Sequence, residues 1–166
     1  MVAGDEVVLR DRAELADATG RIRKNAYQAG RSLEPAAAAE LVAAAERIAA
    51  ERAAAEIGRV VRKARGSGAD VRSCAVVVGA TTRAPPLESI LRSHALAHAA
   101  EGRLYQDALL QGADACGLDA VAVSKQSLTE EHELREWSDG LRRRLGPPWA
   151  EDQKLAALAA CIALKR

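Results

Sequence analysis

The chain has 166 residues, 49% of them hydrophobic and 28% charged, with a net charge of +1. That profile fits one folded domain with its own core and excludes a disordered segment. A near-neutral balance also excludes the global charge footprint of an electrostatic nucleic-acid binder, although local basic patches stay open.

Aromatic residues are 2% of the chain and phenylalanine is absent. The core must therefore be built from alanine, leucine, valine and isoleucine. Small side chains each bury little area, so such a core needs long contact surfaces. This favours a helix-mediated homodimer. The three cysteines Cys74, Cys116 and Cys161 are far apart and show no CxxC spacing, which reads as reduced thiols in a cytoplasmic protein. The first residues carry no signal-peptide pattern. No stretch reaches the roughly 18 apolar residues of a membrane span, so no membrane partner is expected.

In chain order, residues 5–30 read as short N-terminal strands, with Val7-Val8-Leu9 as one and Gly20 to Tyr27 as a weakly alternating second. Ser32-Leu33-Glu34-Pro35 opens a long alanine-rich helix over 33–65. Ser32 is placed to cap it and Pro35 suits its first turn. Gly66-Ser67-Gly68 stops it, and Gly58 marks a bend or a close contact. Val71 to Gly79 is a buried strand. A second long helix runs from Leu87 to about Cys116, and Leu118 to Val123 is a second buried strand. Strand, helix and strand in that order form a βαβ unit with parallel strands. Thr129-Glu130-Glu131-His132 resembles a capping box that opens a third helix ending near Leu145. Gly146-Pro147-Pro148 breaks the chain, and a last buried helix covers about Ala150 to Lys165. The expectation is a single α/β domain over 1–166 with a three-layer-like mixed sheet and a βαβ-α-α core at 71–166.

Two polar groupings can carry chemistry. His94, His98 and Glu101 stand at i, i+4 and i+7 on one face of the second long helix. Imidazoles one turn apart can share a metal, with a carboxylate as third ligand. The same three residues can equally form a hydrogen-bonded network that fixes one helix against its neighbours, because buried polar groups must pair. The second grouping is Glu151 and Asp152 at the start of the last helix. Carboxylates there are favoured by the helix dipole alone, or Asp152 can hold a divalent cation through oxygen. Three basic runs, Arg21 to Lys24, Arg62 to Arg65 and Arg142 to Arg144, can meet phosphates if they converge. No phosphate-binding glycine loop or nucleophile elbow is present in the sequence.

The order from Cys74 onward, closing on Asp152-Gln153-Lys154 and an apolar helix, resembles the C-terminal half of the ribonuclease H-like fold. Its layout is closest to the bacterial Holliday-junction resolvases. The segments around His94 to Tyr105 and Gly146 to Asp152 also resemble parts of uncharacterised bacterial proteins. The resemblance implies a Mg²⁺- or Mn²⁺-dependent domain that processes nucleic acid. Asp152, Glu101 and His98 would then be its catalytic residues, and Asp152, His94, His98 and Glu101 would lie near the metal. The sequence departs from that pattern in two places: no acid stands on the Cys74–Gly79 strand, and the first strand offers only Asp5, Glu6 or Asp11. The other reading is a catalytically inactive homodimeric interaction module with the long helix as its interface.

Overall fold

A computed structural model of the chain describes residues 2–3, 6–7, 15, 25–79, 84–130, 137–138, 140–141, 145–147 and 149–164. Two N-terminal strands, β1 (Val2–Ala3) and β2 (Glu6–Val7), pair antiparallel. A short helix, α1 (Ala26–Gly30), precedes the long α2 (Pro35–Gly66). Then come β3 (Ser73–Val78), α3 (Leu87–Arg92), α4 (His94–Ala115), β4 (Asp119–Ser124), α5 (Lys125–Glu130) and α6 (Glu151–Leu164). The expected parallel pair is present: β3 and β4 run side by side from Ser73 opposite Asp119 to Val78 opposite Ser124. Among the described residues the strands form two separate pairs, one parallel and one antiparallel.

Both faces of the sheet carry apolar side chains that meet helices, while Ala122 of β4 stays exposed. Ala75, Val77, Val121 and Val123 pack with Leu155, Leu158, Ala159 and Ala163 of α6. On the alternate positions, Cys74 and Ala120 share a cluster with Val61 and Ala64 of α2 and Ala113 of α4. The third packing region is a seam of small side chains. Ala45, Ala49 and Ala53 of α2 meet Ala97, Ala100, Leu104 and Ala108 of α4, with Tyr27 of α1 and Ile90 of α3 closing one end. At the other end Gly112 lies so close to α2 that a Cβ would fall 2.7 Å from the Ala54 nitrogen. Alanine richness thus serves close helix approach, as composition suggests, and the closest point is a glycine that sequence reading left unremarked. At Gly58, where a bend or a close contact is expected, a Cβ would stand 3.7 Å from the Cys116 sulfur, an ordinary packing distance.

Several expectations are corrected. Ala26 and Tyr27, read as the end of a strand, are helical; Val8, Leu9 and residues 20–24 lie outside the described residues. Ser32 does not cap α2. Its hydroxyl donates to the Ala29 carbonyl, and Glu34 occupies the cap position without a side-chain bond, while Pro35 does open the helix. The second long helix is two helices. Ser93 is extended (φ −117°, ψ 122°), ends α3 and begins α4 by accepting a hydrogen bond from the Leu96 amide on its hydroxyl. Serine competes well for such caps because its side chain replaces a missing intrahelical partner. A short helix, α5, occupies Lys125–Glu130, opened by the Ser124 hydroxyl accepting from the Ser127 amide; most of the helix expected from Thr129 to Leu145 lies outside the described residues. Two stops behave as read: α2 and α4 end with Gly68 (φ +89°) and Gly117 (φ +68°) in the left-handed region. No helix among the described residues is long and apolar enough to cross a membrane.

Candidate metal centre at the start of α4

The break at Ser93 decides where His94 and His98 go. α4 starts afresh there, so its first turn presents both imidazoles at its exposed edge, beside α1. The two Nε2 atoms are 3.0 Å apart, with ring centroids 4.4 Å apart and ring planes at 85°. At that separation one nitrogen donates and the other accepts.

Two neighbouring groups, Gln28 and Arg31, bear on which. Gln28 of α1 donates from Nε2 to the His94 carbonyl oxygen at 3.1 Å. That bond fixes the direction of its amide, so Gln28 Oε1 faces His94 Nδ1, also at 3.1 Å. An amide oxygen only accepts. The bond to Gln28 therefore forms when His94 carries its proton on Nδ1, which leaves its Nε2 as a bare lone pair aimed at His98. Arg31, one turn further along α1, supports the arrangement. Its Nε donates to the Leu91 carbonyl at 3.1 Å and its Nη1 to Gln28 Oε1 at 3.4 Å. Its Nη1 also reaches His94 Nδ1 at 3.2 Å; a guanidinium only donates, so that bond forms with the other tautomer, in which Nδ1 is bare and His94 donates from Nε2.

Glu101, the third member of the sequence grouping, is on the same helix face but is used differently. It is 8% exposed. Its Oε1 accepts from the Tyr27 amide at 2.7 Å and the Gln28 amide at 3.2 Å. Asn25, at the cap position of α1, makes no side-chain cap bond. Glu101 supplies that cap from another helix, satisfying donors that would otherwise be orphaned. Burial pushes its carboxyl above the usual glutamate range, against the pull of the backbone donors and of His98. Its Oε2 is buried without a partner. Beside it, the Tyr27 hydroxyl donates to Glu46 at 2.9 Å, and burial together with Glu46 pushes the phenol well above its usual value.

Asp152 stands elsewhere. It is exposed in the first turn of α6, whose apolar face belongs to the cluster on the other side of the sheet. That turn is closed by Gln153, whose Oε1 accepts from the Ala150 amide at 2.9 Å, half of a capping box. Glu88 pairs with Arg92 at 3.1 Å on α3. Among the described residues no three histidine, cysteine, aspartate or glutamate side chains gather as a metal-ligand set. Of the basic runs, Arg62, Lys63 and Arg65 are exposed near the end of α2, where Arg65 donates to the Val71 carbonyl at 3.0 Å; the runs at 21–24 and 142–144 lie outside the described residues. Gln28 and Arg31 were invisible as site residues in the sequence, since only the fold brings α1 onto α4. No protein family, curated protein or solved structure matches the chain.

Proposed function

We propose that the chain is a domain that binds a divalent transition-metal ion through Nε2 of His94 and His98. The observation that carries this is the pair of Nε2 atoms 3.0 Å apart, one of them a bare lone pair in the tautomer that donates to Gln28. Two nitrogens on one tetrahedral ion stand about 3.3 Å apart for bonds of about 2.0–2.1 Å, so the rings need to part only slightly. His98 releases its Nε2 for the metal by carrying its proton on Nδ1 instead, with no net loss of charge. A histidine ligand whose other nitrogen is tied to an oxygen acceptor is the usual arrangement at metal sites. Imidazole favours zinc, nickel, copper or cobalt over Mg²⁺ or Mn²⁺. The positive end of α4 opposes a cation by about 0.3–1 kcal/mol. That is small against the roughly 10–16 kcal/mol of a complete zinc ligand set.

Calorimetric titration with Zn²⁺ and Ni²⁺ tests the proposal. Wild type should bind saturably, His94→Ala and His98→Ala should lose the binding, and Gln28→Leu should weaken it about 10-fold. Equal binding by wild type and His98→Ala would rule the site out.

A ribonuclease H-like nucleic-acid-processing reading has a separate observation behind it. β3 and β4 are parallel, α6 packs on the sheet, and Asp152 is exposed at the start of α6. In that reading Asp152 contributes to a Mg²⁺ or Mn²⁺ site. Cleavage of branched or duplex DNA or RNA with Mn²⁺, lost in Asp152→Asn, is its expected result. No cleavage of any of these by the wild type would remove it.

A further inference from the structure

We infer that a second copy of this chain completes the coordination sphere, so that one zinc-class ion is held by His94 and His98 of two chains. This rests on the metal-binding reading above. A closed zinc site has four protein ligands, and the described part of one chain brings two imidazoles and no third ligand to the ion. Both imidazoles are exposed, so the unused positions face outward, where another molecule can reach them.

The helix surface beside the pair points to the same occupant. Ala95, Ala99 and Gly102 follow at i, i+4 and i+7 along α4, and all three are exposed. No long side chain in that strip keeps a second backbone away. Within the strip, Gly102 is the position that requires a reason. A glycine inside a helix costs about 0.5–1 kcal/mol relative to alanine. Among the described residues the chain's own packing gives no reason for that cost, because a Cβ at Gly102 would meet nothing within 4 Å of them and its φ is not positive. This contrasts with Gly112, where the chain's own α2 fills the space. A second α4 laid across the strip accounts for Gly102, and a two-fold axis through the ion brings two equivalent imidazole pairs together. Such isologous pairing is the commonest way for identical chains to assemble. The strip is narrow and small, so the ion and not the apolar contact drives association.

Sedimentation of the full chain during a Zn²⁺ titration tests this. The metal-free chain should sediment at 17.5 kDa. The mass should double as one ion is added per two chains, return on chelation with EDTA, and stay single in His98→Ala. The double variant Ala99→Gln/Gly102→Gln, which alters only exposed positions, should still bind Zn²⁺ but need at least about 10-fold more protein to dimerise. Zn²⁺ bound one per chain without a change in mass would overturn the shared site and leave the metal-binding reading standing. Failure to bind Zn²⁺ at all would overturn both. Doubling that persists in His98→Ala, or without metal, would overturn the shared site as well.

Discussion

Gly112→Ala should lower the unfolding free energy by about 1–3 kcal/mol, the cost of overpacking a tight interior. Alanine is the better helix former by about 0.8–1 kcal/mol, so propensity alone would predict a gain. Geometry overrules it. The new methyl would fall 2.7 Å from the Ala54 nitrogen, 2.8 Å from the Ala53 carbonyl carbon and 2.9 Å from the Ala53 Cβ. Two of these are backbone atoms, and no rotamer change relieves them. α2 and α4 must move apart, which loosens the alanine seam along its length. Gly112→Leu should be worse still. Gly102→Ala on the same helix is the control and should gain about 0.5–1 kcal/mol in the metal-free chain. Urea unfolding reads both. A Gly112→Ala chain at least as stable as wild type would contradict the packing described for α2 against α4.

Glu101→Ala should cost about 2–3 kcal/mol, because it strands the buried Tyr27 amide and the half-buried Gln28 amide without an acceptor. Glu101→Gln retains an oxygen for them and should cost about 0.5–1 kcal/mol at neutral pH. The pH dependence separates the carboxyl from a mere acceptor. Burial raises its folded-state pKa above the ordinary 4.5, so the folded chain holds the proton more tightly than the unfolded chain. Its contribution to stability is fully present below 4.5 and is lost as pH rises through the raised value. Unfolding measured from pH 4 to 8 should show that decline in wild type and not in Glu101→Gln. An identical slope in both chains would mean that Glu101 titrates as an ordinary surface acid. Because α1 carries Gln28, Glu101→Ala should also weaken metal binding without touching the ion.

The long elements were legible because their signals are local. Pro35 starts α2, Gly68 and Gly117 end α2 and α4, and the apolar runs from Cys74 and from Leu118 are paired parallel strands, although Ala122 of β4 stays exposed. The break at Ser93 was missed because alanine-rich sequence on both sides continues a helical pattern. Only the competition of one serine hydroxyl for the Leu96 amide separates α3 from α4. The i, i+4, i+7 spacing correctly placed His94, His98 and Glu101 on one face, yet it could not say that their roles differ. That division depends on α1, 66 to 74 residues away in sequence, whose uncapped amides draw Glu101 inward and whose Gln28 meets the His94 ring. Asp152 shows the converse: a carboxylate at a helix start satisfies the dipole where it stands, and its spacing carries no information about the imidazoles on another core.

The central claim is the direction of the two imidazole nitrogens, and long-range ¹⁵N–¹H correlation of the histidine rings during Zn²⁺ addition observes it directly. In the metal-free chain His94 should show a protonated Nδ1 and a bare Nε2. On saturation Nε2 of both His94 and His98 should move to metal-bound shifts while His94 Nδ1 keeps its proton. A metal-free His94 protonated on Nε2, or rings that do not respond to Zn²⁺, would contradict the site.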